Sequence, residues 1–216
     1  MVTAHCENRT VVFPSVSAIE LFALASIALL LIPGPAVLYV VTQSAEQGRS
    51  AGLASVAGIH VGTFVHIFAA AVGLSALILA SAVAFSIVKF AGAVYLVYLG
   101  VRKLLARDAD AEAEPRPAPL RRVVARGALV NVLNPKAALF FLAFLPQFVD
   151  TNRGAVWSQV VVLGLVFVAL GLVSDSAYAL AGDAVGSLLR RRATAVRRTS
   201  GTIYIGLGAV AAFARR

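Results

Sequence analysis

The chain has 216 residues, 60% of them hydrophobic and 13% charged, against roughly 45–50% and 25% in an ordinary soluble domain, an excess that excludes a water-soluble core. The net charge of +9 would suit nucleic acid if it sat on one soluble face, but Lys and Arg fall in short segments between apolar runs and read as orientation signals. The single cysteine, Cys6, lies outside every apolar run, leaving no disulfide framework, no Cys-x-x-Cys pair and no thiolate metal site, and no cofactor is expected.

Apolar runs recur along the whole chain, and about 20 such residues are what a helix needs to cross the hydrocarbon layer. The predicted fold class is all-α: a polytopic integral membrane protein, about six transmembrane helices in one domain over residues 1–216, with spans at about 19–42, 51–79, 82–105, 127–149, 155–181 and 200–214. Glu7 and Glu20 precede a long, proline-interrupted stretch rather than a basic leader with a short apolar core, so the first run reads as a retained span.

In the first run, Leu29-Leu30-Leu31-Ile32 meets Pro33-Gly34-Pro35 and then continues as Ala36-Val37-Leu38. Each proline lacks a backbone donor and clashes with the carbonyl four residues back, so the helix breaks there. The freed carbonyls of Leu29 and Leu31 need partners that lipid cannot supply, which turns the break toward protein or a water-filled cavity.

In the second run, Gly48, Gly52, Ser55, Gly58, Gly62, His66 and Gly73 fall within roughly 120° of arc, with His60 outside it. Gly58-x-x-x-Gly62 reads as a helix-packing pair. His66, on that small-residue face, is either a structural contact or a proton site. The third run carries Lys89 close to its outer end, where the side chain can snorkel. Residues 106–126 mix Asp108, Asp110, Glu112 and Glu114 with Pro115, Pro117 and Pro119, a composition that buries no core and predicts a mobile cytoplasmic linker. The linker divides the spans into two groups of three, so any likeness between the halves would be an inverted repeat.

The fourth run is interrupted by Asn131 and Asn134-Pro135-Lys136. Asn134 can cap a new helix with Pro135 at its first position. Two half-helix amino termini and Lys136 would together suit a carboxylate, and the carbonyls ending at Ile32 a cation, so a zwitterion would satisfy both. Kinks required for packing alone are the plainer reading. Pro33 lies deeper in its run than Pro135 does in its own, so the two breaks do not mirror each other well. Asp175 is the one acid well inside an apolar run. It is a candidate for exchanging the proton that drives transport, with an interfacial contact near the cytoplasmic end of its span as the alternative. The sixth run spans only if it starts earlier and Arg197, Arg198, Arg215 and Arg216 snorkel.

Alternate connections hold Arg49, then Arg102, Lys103, Arg107, Arg116, Arg121, Arg122 and Arg126, then Arg190, Arg191, Arg192, Arg197 and Arg198; the opposite side holds Arg9, Arg153, Arg215 and Arg216. Because Lys and Arg are retained in the cytoplasm, both termini are predicted on the non-cytoplasmic side.

Together these motifs resemble the LysE/RhtB family of bacterial amino-acid exporters. The resemblance runs through Pro33-Gly34-Pro35, the glycines Gly48 to Gly62 with Gly73-Leu74, Gly92-Ala93-Val94-Tyr95-Leu96-Val97-Tyr98-Leu99-Gly100, Asn131-Val132-Leu133-Asn134-Pro135-Lys136, Leu145-Pro146-Gln147-Phe148 and Gly206-Leu207-Gly208. It implies export of a small amino acid or related metabolite from a bacterial inner membrane by exchange with protons, and it suggests a homodimer. The substrate-binding candidates are Pro33, Gly34, Pro35, Asn131, Asn134, Pro135 and Lys136, and the proton-coupling candidates Asp175 and His66. Efflux of a metal cation or other solute on the same architecture is one alternative, opposed by the lack of clustered intramembrane Cys, His and carboxylate ligands. An intramembrane enzyme is another, opposed by the lone aspartate at depth. A purely structural membrane subunit is the third.

Overall fold

The computed structural model describes residues 13–80 and 118–191, with scattered positions between 90 and 105 and between 195 and 209. The predicted third and sixth spans, and residues 106–117 of the linker, fall almost wholly outside the described residues. Every regular element described is helical: α1 (Val16–Leu30), α2 (Pro35–Gln47), α3 (Arg49–Ala80), α4 (Leu120–Val132), α5 (Pro135–Leu139), α6 (Val156–Leu180) and α7 (Gly182–Arg191).

The chain is membrane-built. Residues Arg49–Gly73 of α3 and all of α6 are long and apolar enough to cross a bilayer, and two bent pairs qualify as broken spans: α1 with α2, bent by 53°, and α4 with the helical run Pro135–Phe148, bent by 47°. The order bent, then straight, thus occurs twice. Leu24 of α1, Phe68 of α3 and Val173 of α6 point outward from this bundle, an arrangement suited to hydrocarbon rather than water.

Each bend follows from local chemistry. Ser15 caps α1 by accepting from the Ala18 amide, and α1 stops at Leu30, before Pro33. Pro35 then occupies the first position of α2, with extended Gly34 at the cap. At the second break the Asn134 side chain accepts from the Lys136 amide and Pro135 opens α5, the arrangement expected of an Asn-Pro pair. The run does not stay α-helical. Phe140–Phe144 form a π turn and Leu145–Phe148 a 3-10 turn, because Pro146 has no amide to give and crowds the carbonyl of Leu142. Gly48, between α2 and α3, has φ +84°, a left-handed backbone that glycine adopts without strain.

The linker expected over 106–126 ends sooner than its composition indicated, because α4 begins at Leu120. Arg121, Arg122 and Arg126 are tolerated in a helix whose opposite side buries Val123 and Gly127, and a helical turn outside the hydrocarbon needs no apolar run. Likewise, α7 occupies part of what reads as a polar connection. Its first residue, Gly182, lies so close to Ser44 that a Cβ there would sit 2.6 Å from the serine.

The core has two parts. The phenylalanines Phe22, Phe140, Phe141, Phe144 and Phe167 pack with Leu29, Ile67 and Leu163, joining α1, α3, the π turn and α6. A smaller cluster of Val40, Val56, Ile59 and Ala179 ties α2, α3 and α6 together. The most extensive helix contact is α3 on α4. There a Cβ at Gly58 would lie 2.2 Å from the Val124 carbonyl oxygen, and one at Gly62 2.8 Å from that of Ala128. Backbone meets backbone at this crossing, so the Gly58 and Gly62 face lies directly against α4.

Candidate functional site

Lys136 is the residue that joins the two breaks. Its side chain, 9% exposed, leaves the start of α5 and donates from Nζ to the carbonyl oxygens of Leu29 at 2.7 Å and Ile32 at 2.6 Å. A buried ammonium is costly unless its protons find acceptors, and the carbonyls that end the run before Pro33 supply them. The Leu31 carbonyl takes a different partner, the Tyr178 hydroxyl of α6 at 3.0 Å. Both carbonyls expected to be orphaned are therefore met from distant parts of the chain. Tyr178→Phe is expected to cost about 1 kcal/mol by leaving the Leu31 carbonyl to water, measured by reversible detergent-denaturation titration; an unchanged midpoint means that this carbonyl is already hydrated.

The breaks converge on one cavity of about 40 Å³, whose lining includes Leu30, Gly34, Asn131, Asn134, Lys136 and Asp175, with His60 and Phe167 beside them. The volume has room for roughly one or two waters and none for an amino acid, so the break segments must part before a solute of that size can enter. Across the cavity from Lys136's helix, Asp175 is 4% exposed and 5% of His60 is exposed. Their side chains approach to 3.3 Å between His60 Nε2 and Asp175 Oδ2. Gly171, one turn before Asp175, makes the room, since a Cβ there would sit 2.7 Å from His60 Cε1.

Asp175 is thus buried against α3. His66 does not reach the cavity. Its Nε2 bonds the Asn131 carbonyl at 2.9 Å, and its ring stacks on Phe141 with centroids 5.9 Å apart. Asn131 lines the cavity but spends its side chain on α3, donating from Nδ2 to the Ile59 carbonyl at 2.8 Å and Thr63 Oγ1 at 2.9 Å, and accepting from Asn134 at 3.4 Å. Pro33, Pro35 and Pro135 shape the breaks without lining the cavity. Since α5 is α-helical for only five residues, the positive charge at the centre comes from Lys136 more than from a helix dipole.

His60 is the cavity residue that sequence reasoning passed over. The available signal was that a carboxylate at membrane depth requires a partner, and His60 and His66 were the two histidines inside the runs. A wider groove of about 570 Å³ adjoins the cavity at Leu30, lined by Ile27, Leu31, Leu170 and Val173, with Ser174 and Tyr178 its polar members. It offers no charge to a zwitterion, so the candidate site is the smaller cavity. Among the described residues, no three His, Cys, Asp or Glu side chains group as a metal ion would require.

A family model described as LysE type translocator matches residues 27–215. Over 197 residues the chain is 30% identical to a homoserine/homoserine lactone efflux protein of Salmonella typhimurium, covering 90% of this chain and 95% of that one. It is 29% identical over 197 residues to a leucine efflux protein of Klebsiella pneumoniae, covering 87% of this chain and 91% of that one. An uncharacterized membrane protein of Vibrio cholerae is 29% identical over 201 residues, with 90% and 96% covered. No solved structure matches the chain significantly.

Proposed function

This chain belongs to the LysE type translocator family, and from that premise we propose that it exports a small amino acid or related metabolite across a bacterial inner membrane in exchange for protons. It is a multi-pass membrane protein and, as a member of a translocator family, not an enzyme. The observation that carries the reading is a single buried cavity lined by one fixed cation, Lys136, and one carboxylate, Asp175, which is the charge pattern a zwitterion requires. The substrate carboxylate binds Lys136 in place of the Leu29 and Ile32 carbonyls, and Asp175 is the acid through which protons are coupled. Neutral substrates are supported by the names of the matched relatives, homoserine and its lactone in one and leucine in another. Both termini face away from the cytoplasm, and the working unit is a homodimer.

Everted membrane vesicles carrying the protein, given labelled leucine or homoserine and an imposed proton gradient, are expected to accumulate at least one of the two well above vesicles lacking it. Absence of gradient-dependent accumulation of these or any other amino acid would sink the exporter reading.

A further inference from the structure

We propose that His60 is the proton carrier of the cycle, and that its proton and the substrate's ammonium compete for the one carboxylate of Asp175. The inference rests on the exporter reading and gives it a coupling mechanism.

His60 Nε2 stands 3.3 Å from Asp175 Oδ2, yet neither ring nitrogen makes a hydrogen bond among the described residues. The imidazole is therefore poised beside the carboxylate without being locked to it, inside the cavity that also holds Lys136. The charged and titratable groups around the pair are few. Lys136 lies on α5 and Tyr178 on α6; Tyr39 of α2 is spent on the Val123 carbonyl, with Arg126 of α4 beyond it, and His66 of α3 on that of Asn131. Glu20, the acid of α1, is exposed.

An unpaired carboxylate at this depth costs several kcal/mol, so Asp175 is always paired. With His60 protonated, imidazolium and carboxylate neutralise each other and the ammonium of a zwitterion has no partner. Once His60 loses its proton, the carboxylate is open to the ammonium while Lys136 takes the substrate carboxylate. Proton and amino acid thus exclude each other, and that exclusivity is what antiport needs. Nothing is consumed: the proton binds Nε2 on one side of the membrane and leaves it on the other.

One-proton competition weakens apparent substrate affinity by about tenfold per pH unit once His60 is mostly protonated, and by reciprocity bound substrate must weaken the histidine's hold on its proton. The test uses the full chain in proteoliposomes, with labelled leucine and homoserine in counterflow, which needs no gradient. The His60→Gln protein is expected to show counterflow that no longer responds to pH and to lose gradient-driven accumulation, whereas Asp175→Asn is expected to lose at least tenfold in counterflow itself. His60→Gln retaining the wild-type pH slope, or losing counterflow outright, overturns the inference. Wild-type protein that exchanges no amino acid overturns the exporter reading and the inference with it. A second measurement avoids mutation. The chain has three histidines, His5, His60 and His66, and in a nitrogen-15 histidine titration saturating substrate is expected to move the protonation of His60 to lower pH, with an unmoved titration counting against the proposal.

Discussion

Lys136→Met is expected to weaken apparent substrate affinity by about two orders of magnitude and to destabilise the protein as well. Methionine keeps the apolar stem but removes the donors that Leu29 and Ile32 accept from. The Ile32 carbonyl left without this donor costs roughly 1–3 kcal/mol, the Leu29 carbonyl less because it keeps the Ile32 amide at 3.2 Å, and the loss is offset in part because no ammonium then has to be desolvated. Removing one partner of a desolvated charge pair costs about 2–5 kcal/mol in binding, and about 1.4 kcal/mol is a factor of ten. Binding should therefore suffer more than folding. Counterflow at graded leucine concentrations reads the first effect, and a denaturation midpoint in mild detergent the second. Lys136→Arg, which keeps charge and donors on a longer stem, is expected to retain most of the stability but not the affinity, since a planar guanidinium cannot reproduce the ammonium's two short contacts. A K136M protein with normal affinity and a lowered midpoint would make Lys136 a structural latch alone.

The same residue marks the boundary of what sequence could disclose. Both breaks were legible because proline and the residues within one turn of it determine them: α1 stops at Leu30, Pro35 opens α2, and Asn134 caps α5. Where each freed carbonyl finds its donor was not legible, because the contacts run from Lys136 back to Leu29 and from Tyr178 back to Leu31, 107 and 147 residues apart. Unequal depths argued against convergence of the breaks, but the four-carbon lysine stem spans the offset.

Only part of the arc expected along the second run is one face of α3, since Gly52 turns to Ser44 and Ala179 and nothing lies within 4 Å of a Cβ at Gly73. Gly58, Gly62 and His66 do share a side, and it is the side turned to α4, where His66 meets the Asn131 carbonyl. Close helix packing fills such a face with backbone and leaves little volume there. The cavity opens instead toward α6, where Gly171 admits the His60 ring. A histidine off the small-residue face looked less interesting for the reason that made it available. Missing the first turns of α4 has a different cause: Leu120–Arg126 is polar enough to pass for linker, and only the burial of Val123 and Gly127 against the bundle makes it helix.

Gly58→Ala is expected to be among the most damaging single-atom changes in the chain. In lipid, helices gain little from burying apolar surface against each other, so packing distance carries much of the association. An added Cβ at Gly58 would stand 2.2 Å from the Val124 carbonyl oxygen, with Gly127 directly opposite, its own Cβ position 3.3 Å from Gly58 Cα. Neither neighbour is a flexible side chain, so α3 and α4 must separate. Helix propensity works the other way, because alanine is better than glycine by about 1 kcal/mol in a helix interior, but overpacking costs about 1–3 kcal/mol and occasionally more, and here it is backbone that must yield. Separation would also stretch the bonds from Asn131 to Ile59 and Thr63 and disturb the setting of His60, two residues along, against Asp175. Gly73→Ala supplies the contrast, since nothing lies within 4 Å of its Cβ position and propensity alone should leave the protein as stable or slightly more so. Denaturation titrations of the two variants in the same detergent decide the matter. Equal midpoints would mean that the α3–α4 crossing relaxes freely and that its glycines are not what sets the geometry of the site.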